Sequence, residues 1–452
     1  MKRIFGHIIA VIAAATACSV VLAAEAGTVD DVALTVYNQN LALVREVRTF
    51  TFKEGLNFLT LTGVPSAIDT TSVHFKPLQG AVELLEQNYD YDLVSRNKLL
   101  QKYIGSTITV VDEDGSRRDG TLLSVADGVV VEHQGKILLN PPGSLELPSL
   151  PGGLLLRPTL EWQVLSPKSF TAPGEVSYLS TGLSWSADYV AMLSDSEKLA
   201  DLEGWVTMTN NSGASYENAR LKLVAGEIHR AQPPMPVRGK MLAEAEMMRD
   251  GAGFAEEAFF EYHLYTLQRR TTIKDRQEKQ ISLLTGNNIP VSKIYTYDPD
   301  WRSDNVEVRI EFKNSEQNGI GIPLPAGRVR VFKRDSEGMA QLVGEDNIGH
   351  TPKDEMVRLL LGNAFDIKGE KTQTDHVDKH RGYQASYEVV LRNHKDESVF
   401  VLVPQHIGYA NWKVVSSSLD YTKKDATTIE FRVPVAADGE AKLTYALDVW
   451  WR

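Results

Sequence analysis

Apolar residues recur at every second position along most of this chain, and that period commits it to strands. Leu34 and Val36, then Leu41 and Leu43, then Val47, Phe50 and Phe52 alternate with polar neighbours. Glu54-Gly55 and Thr62-Gly63 punctuate the run, and residues 57–61 supply the next strand, so the first stretch reads as an antiparallel meander. The pattern returns at 176–179, 188–193, 204–209 and 220–224, with Asn210-Asn211-Ser212-Gly213 as a turn. It continues through 279–284, 306–312, 328–332, 387–392, 399–403, 428–433 and 442–447. The fold class expected is all-β, built as tandem antiparallel β-sandwich-type domains with few helices.

The start of the chain reads differently. Lys2 and Arg3 precede an apolar run at 8–17 and small residues at Val21-Leu22-Ala23-Ala24, the layout of a cleavable signal peptide over 1–24. Thr16 and Ser19 interrupt the apolar stretch, which falls short of the roughly 20 residues a spanning helix needs. The expected location is therefore outside the cytosol, periplasmic or extracellular, with no transmembrane segment in the mature chain. The only cysteine, Cys18, follows Ala15-Thr16-Ala17 and offers a lipoprotein anchor as the alternative. Cleavage near Ala24 would leave neither disulfide nor thiolate chemistry. Loss of Lys2 and Arg3 takes the net charge from −11 to −13, which argues against nucleic acid as a partner.

Turn residues and composition divide the rest. A β domain is expected over 25–96. Three hairpin signals, Asp114-Gly115, Asp127-Gly128 and Gln134-Gly135, then separate short runs such as 107–111 and 121–125, and suggest a small SH3/Sm-like barrel inserted at 97–140. A Pro/Gly linker follows at 141–159, a second β domain at 160–230, a flexible Met/Pro/Glu-rich insertion at 231–258, and a C-terminal β-sandwich region at 259–452.

Several phrases in this order resemble one family, bacterial exported proteins carrying the domain of unknown function 4139. They are LTVYNQNLALVRE at 34–46, STGLSWSADY at 180–189, GWVTMTNNSGASYENARLKLVAGEI at 204–228, GIPLPAGRVRVFKRD at 321–335, GEDNIGHTPKDE at 344–355 and YEVVLRNHKDESVFVLV at 387–403. The resemblance implies an all-β envelope protein. It brings no reaction, cofactor or site residue with it.

Local enzyme signatures are missing from the sequence: HExxH, Gly-x-Ser-x-Gly, the P-loop, the dinucleotide fingerprint and the EF-hand loop do not occur. No cofactor is implied. A metal candidate is His376, Asp378 and His380, since alternate strand residues would aim nitrogen and oxygen ligands to one side; the plainer reading is a solvated polar loop. Met235, Met241, Met247 and Met248, with His229, offer thioether ligands for copper(I) or a flexible cover for an apolar edge. Glu345, Asp346 and His350, with Asp354 and Glu355 beyond, mark a possible functional loop.

Among seven tryptophans, Trp185 and Trp205 read as core, whereas the adjacent Trp450 and Trp451 must face opposite sides of a strand. Asp112-Glu113-Asp114-Gly115 and Asp298-Pro299-Asp300 read as turn chemistry. The function expected is non-catalytic binding or scaffolding of an envelope protein or polymer through β-domain surfaces. Hydrolysis of an extracellular or cell-wall polymer and carbohydrate binding are the alternatives.

Overall fold

The computed structural model describes residues 24–25, 27–91, 94–149, 151, 157–226, 254–259, 262–301, 304–409 and 411–451. Residues 1–23 with Cys18, and the set Met235, Met241, Met247, Met248 and His229, lie outside the described residues. Within them the chain is all-β and mostly antiparallel, with one α-helix, Arg96–Lys102. Every alternating run named above falls on a strand, because burying every second residue pins each strand's register against one face. No helix among the described residues is long and apolar enough to cross a membrane.

The chain divides into two compact units. The first comprises residues 1–32, 44–180 and 212–214. In it the strands Gly55–Thr62, Thr159–Ser166 and Glu83–Asp90 form a sheet, with Ala24–Glu25 added in parallel at one edge. Phe170–Ser180 pairs with Ile68–Pro77 and with the end of Leu41–Phe52. The two layers meet through aromatic rings: Trp162 lies 4.9 Å from Phe75 and 6.2 Å from Phe50. Its indole nitrogen donates to Gln87 Oε1 at 2.9 Å, so the polar edge of the ring is satisfied.

The alternation in Leu41–Phe52 buries a charged pair as well as apolar residues. Val44, Glu46, Arg48, Phe50 and Phe52 share the inward face. Glu46 accepts from Arg48 Nε at 2.9 Å and Nη2 at 2.7 Å, and from the Tyr178 hydroxyl at 2.8 Å. Both carboxylate oxygens are thereby bonded, the condition for a charge to be tolerated in a core.

The expected SH3/Sm-like barrel at 97–140 is not formed. Four strands of this segment, with Ser144–Glu146 from the expected linker, instead build an open five-stranded sheet in the order Lys136–Leu139, Val130–His133, Arg117–Ser124, Thr107–Val111, Ser144–Glu146. The outer strands are four and three residues long and each pairs on one side only, so the ladder does not return on itself. Ile137 and Leu139, on one of those edges, remain 54% and 72% exposed. The helix does the work that closure would have done. Its Leu100, with Tyr103 at its C-terminal end, packs on Ile108, Val110, Leu122 and Val131, and Ser95 Oγ caps it by accepting from Lys98 N at 3.3 Å.

The second unit comprises residues 33–43, 181–211 and 215–452. One of its sheets runs Gln277–Pro290, Leu199–Asn210, Leu183–Leu193, Gly327–Arg334, Ala340–Ile348, with a parallel pairing between Leu183–Leu193 and Gly327–Arg334. Trp185, on this sheet, is buried and donates to Val224 O at 3.3 Å.

Another sheet is nine-stranded: Asn411–Ser417, Gly439–Trp450, Gly382–Asn393, Met356–Lys379, Asn305–Lys313, Ser292–Thr296, Val399–His406, Thr428–Val435, Tyr421–Lys423. It curls over its own inner face, so that Phe431 and Tyr445, six strands apart in the order, have ring centroids 5.0 Å apart. Its two outermost strands keep one neighbour each.

Candidate functional site

Two strands of the nine-stranded sheet carry apolar inward rows that end in a polar residue, and the two ends meet, together with a tyrosine hydroxyl from the inward row of a third. Val399, Val401 and Val403 lead to Gln405. Tyr445 stands in the row with Leu443, Leu447 and Val449. On Met356–Lys379, Ile367, Gly369 and Lys371 lie opposite Asn393, Leu391 and Val389, which turns Lys371 toward the inner face. The Lys371 ammonium donates to Gln405 Oε1 at 2.6 Å, and the Tyr445 hydroxyl donates to the same oxygen. Lys371 also sits 4.6 Å from the centroid of the Tyr387 ring and 3.4 Å from Asp300 Oδ1.

Burial lowers the Lys371 pKa from its ordinary value, and the charges of Asp300 and Asp298 oppose that shift without cancelling it. Asp298 and Asp300 are brought to the lysine by the segment after Ser292–Thr296. Tyr297 N donates to Leu402 O at 2.8 Å, and its ring lies against Gly369, where an added Cβ would come within 2.4 Å of a ring carbon. Only glycine permits that approach. Burial, then the charges of Glu370 and Asp304, push the Tyr297 hydroxyl up to about 12. Asp298 Oδ1 accepts from Asp300 N at 3.1 Å, so the turn chemistry read from Asp298-Pro299-Asp300 is present and also aims both carboxylates at one place.

His406 completes the polar group, with Nε2 3.4 Å from Asp298 Oδ2 and Nδ1 3.2 Å from Thr428 Oγ1. One ligand atom from each of Asp298, Asp300 and His406 lies within 4.8 Å of the others, and among the described residues these three are the ones placed to hold a metal ion. The Lys371 ammonium already supplies a positive charge beside them.

A chain of aromatic contacts lies on the same sheet. His376 stacks on Tyr383 at 5.4 Å, Tyr383 meets Tyr409 edge-on at 6.4 Å, and Tyr409 stacks on Trp451 at 5.3 Å with 28° between planes. Tyr409 is 43% and Trp451 41% exposed, which leaves ring faces open to a ligand. Burial, then Tyr409 and Asp300, raise the Tyr383 pKa; burial, then Tyr383 and Asp300, raise that of Tyr387.

Of the candidates named from sequence, His376 and Asp378 meet at 3.1 Å on the exposed end of the long hairpin, and His380 begins its turn. Glu345 is exposed and takes Arg330 Nε at 2.9 Å, while Asp346 accepts from Leu360 N at 2.7 Å, so the two carboxylates serve different neighbours. His350 Nδ1 accepts from Ala326 N at 3.1 Å. Desolvation by its surroundings, then the nearby His263, lower its pKa.

Lys371, Tyr383, Gln405, His406 and Tyr409 were not singled out from sequence. The signal available was a break in alternation, Val-x-Val-x-Val-x-Gln and Ile-x-Gly-x-Lys, where an apolar row ends in a polar side chain. Neither protein-family models nor curated proteins give a match to this chain. The resemblance carried by residues 34–46 and its companion phrases rests on those phrases alone.

Proposed function

We propose that this is an exported, non-catalytic binding protein of the cell envelope, and that its C-terminal sheet holds a polyhydroxylated chain, a glycan. The observation that carries the reading is the exposed Tyr409–Trp451 stack, continued through Tyr383 to His376 on the sheet that also holds the polar group of Lys371, Asp298, Asp300 and His406. Flat aromatic faces bury the apolar faces of sugar rings, and hydroxyl groups need donors and acceptors together. Lys371 and His406 supply donors, and Asp298 and Asp300 supply acceptors. The envelope setting comes from the signal-like segment 1–24 and from the resemblance to the 4139 family, and both are part of the proposal.

A hydrolase reading draws on the same two carboxylates. Acid and base in glycoside cleavage flank the scissile bond from two sides, whereas Asp298 and Asp300 stand on one turn and approach from one side. Binding is the better fit.

Calorimetric titration of the protein with a panel of soluble glycan fragments tests this. At least one fragment should bind, and Trp451→Ala and Tyr409→Ala should each weaken it about tenfold or more while leaving the melting temperature unchanged. Wild-type protein that binds nothing on the panel would remove the glycan reading. Release of new reducing ends by wild-type protein, lost in Asp300→Asn, would replace binding by hydrolysis.

A further inference from the structure

A cavity of about 240 Å³ lies in the second unit, and its lining has a chemistry the aromatic site lacks. At one part of its wall the Glu197 carboxylate accepts from both Lys293 and Lys333. Lys293 comes from Ser292–Thr296 of the nine-stranded sheet and Lys333 from Gly327–Arg334, in the sheet with Leu183–Leu193. Two ammonium groups therefore face one carboxylate, and each keeps N–H donors to spare. Lys395 and Asp366, one charge of each sign, also line the cavity, and Lys395 pairs with Glu397 at 3.4 Å.

Glu197 holds its place at a cost. It sits at φ 56° in the turn between Leu183–Leu193 and Leu199–Asn210, a left-handed conformation that glycine or asparagine would adopt with less strain. Its backbone N–H donates to Ser194 O at 3.0 Å, which fixes the turn and aims the carboxylate at the two lysines.

Apolar side chains, Tyr295, Ile310 and Leu361 among them, and Asn363 make up much of the rest of the lining. The register of Met356–Lys379 against Asn305–Lys313 shifts between Val308 and Arg309, where Gly362 and Leu360 are the partners, and this bulge leaves Leu361 as the extra residue. Phe365 follows, lines the cavity, and is 92% exposed, the most exposed large apolar side chain among the described residues. A benzyl group left so bare beside a cavity suits a cover for apolar matter placed there.

We propose that this cavity is a second binding site, for a small monoanionic amphiphile whose carboxylate meets Lys293 and Lys333 and whose short alkyl tail lies along Tyr295 and Ile310 beneath Phe365. The space equals about eight water molecules, which suits a chain of six to eight carbons. The site is independent of the glycan reading and stands or falls without it.

Titration of the whole protein with octanoate, octanol and inorganic phosphate, followed by calorimetry, tests the assignment. Octanoate should bind, and octanol and phosphate should each bind about tenfold more weakly or not at all, because each lacks one half of the recognition. Lys333→Met should cost about tenfold in octanoate affinity. Phe365→Ser, which alters an exposed side chain and leaves folding intact, should weaken octanoate several-fold and phosphate not at all. Absence of octanoate binding to wild-type protein, equal binding of octanol, or octanoate affinity unchanged in both variants would each overturn the proposal.

Discussion

At the scale of single residues, the buried charges of the two units behave differently. Glu46 and Arg48 are 5% and 6% exposed and bonded to each other and to Tyr178. Arg48→Met leaves the Glu46 carboxylate buried with its ionic partner gone, so it should cost about 3–5 kcal/mol, read from the denaturant midpoint. Replacing both charges, Glu46→Met with Arg48→Met, should recover most of that loss. Glu197 offers a pH test. Burial raises its pKa, but hydrogen bonds from Lys293 and Lys333 outweigh this and hold it below the ordinary 4.5. A depressed carboxylate contributes stability above its unfolded value and loses it as pH falls through the folded one. The melting-temperature gap between wild-type protein and Glu197→Gln should hold steady from neutral pH to about 5 and close below 4.5.

Elements place the site through their inward rows. Alternation predicted the strands 387–392, 399–403 and 442–447, and all three contribute to the nine-stranded sheet. Which row would carry Lys371 inward was not legible, because 372–381 is nearly all polar and reads as a loop, whereas Met356–Lys379 continues as a single 24-residue strand paired with Gly382–Asn393. Cross-strand pairing overrode local polarity there. Gly369 is the hinge of this arrangement. Gly369→Val would drive Tyr297 off the strand and displace Asp298 and Asp300 with it, so glycan affinity should fall together with about 1–3 kcal/mol of stability. Loss of stability with full affinity would detach the turn from the site.

For the molecule as a whole, the division into two units sets what distant changes should do. Each unit has its own aromatic or aliphatic core, and the chain of aromatic contacts and the polar group lie wholly in residues 297–451 of the second. Trp162→Phe in the first unit removes the bond to Gln87 and shrinks a ring that is 1% exposed. It should lower stability by about 1–3 kcal/mol in denaturant titration and leave glycan affinity within experimental error of wild type. A matching loss of affinity would show that the two units are energetically coupled.

The sequence by itself determined the secondary structure, because the period of the hydrophobic pattern is a local property and each strand carries its own record of which face is buried. It marked the turns at Gln134-Gly135 and Asp298-Pro299-Asp300 for the same reason. Closure is not local. Whether 97–140 forms a barrel depends on whether its outer strands reach each other, and their shortness together with the Arg96–Lys102 helix left an open sheet. The site is less local still. Lys371, Gln405 and Tyr445 are far apart in the chain, and only the curling of a nine-stranded sheet brings the Lys371 ammonium and the Tyr445 hydroxyl to the one Gln405 oxygen.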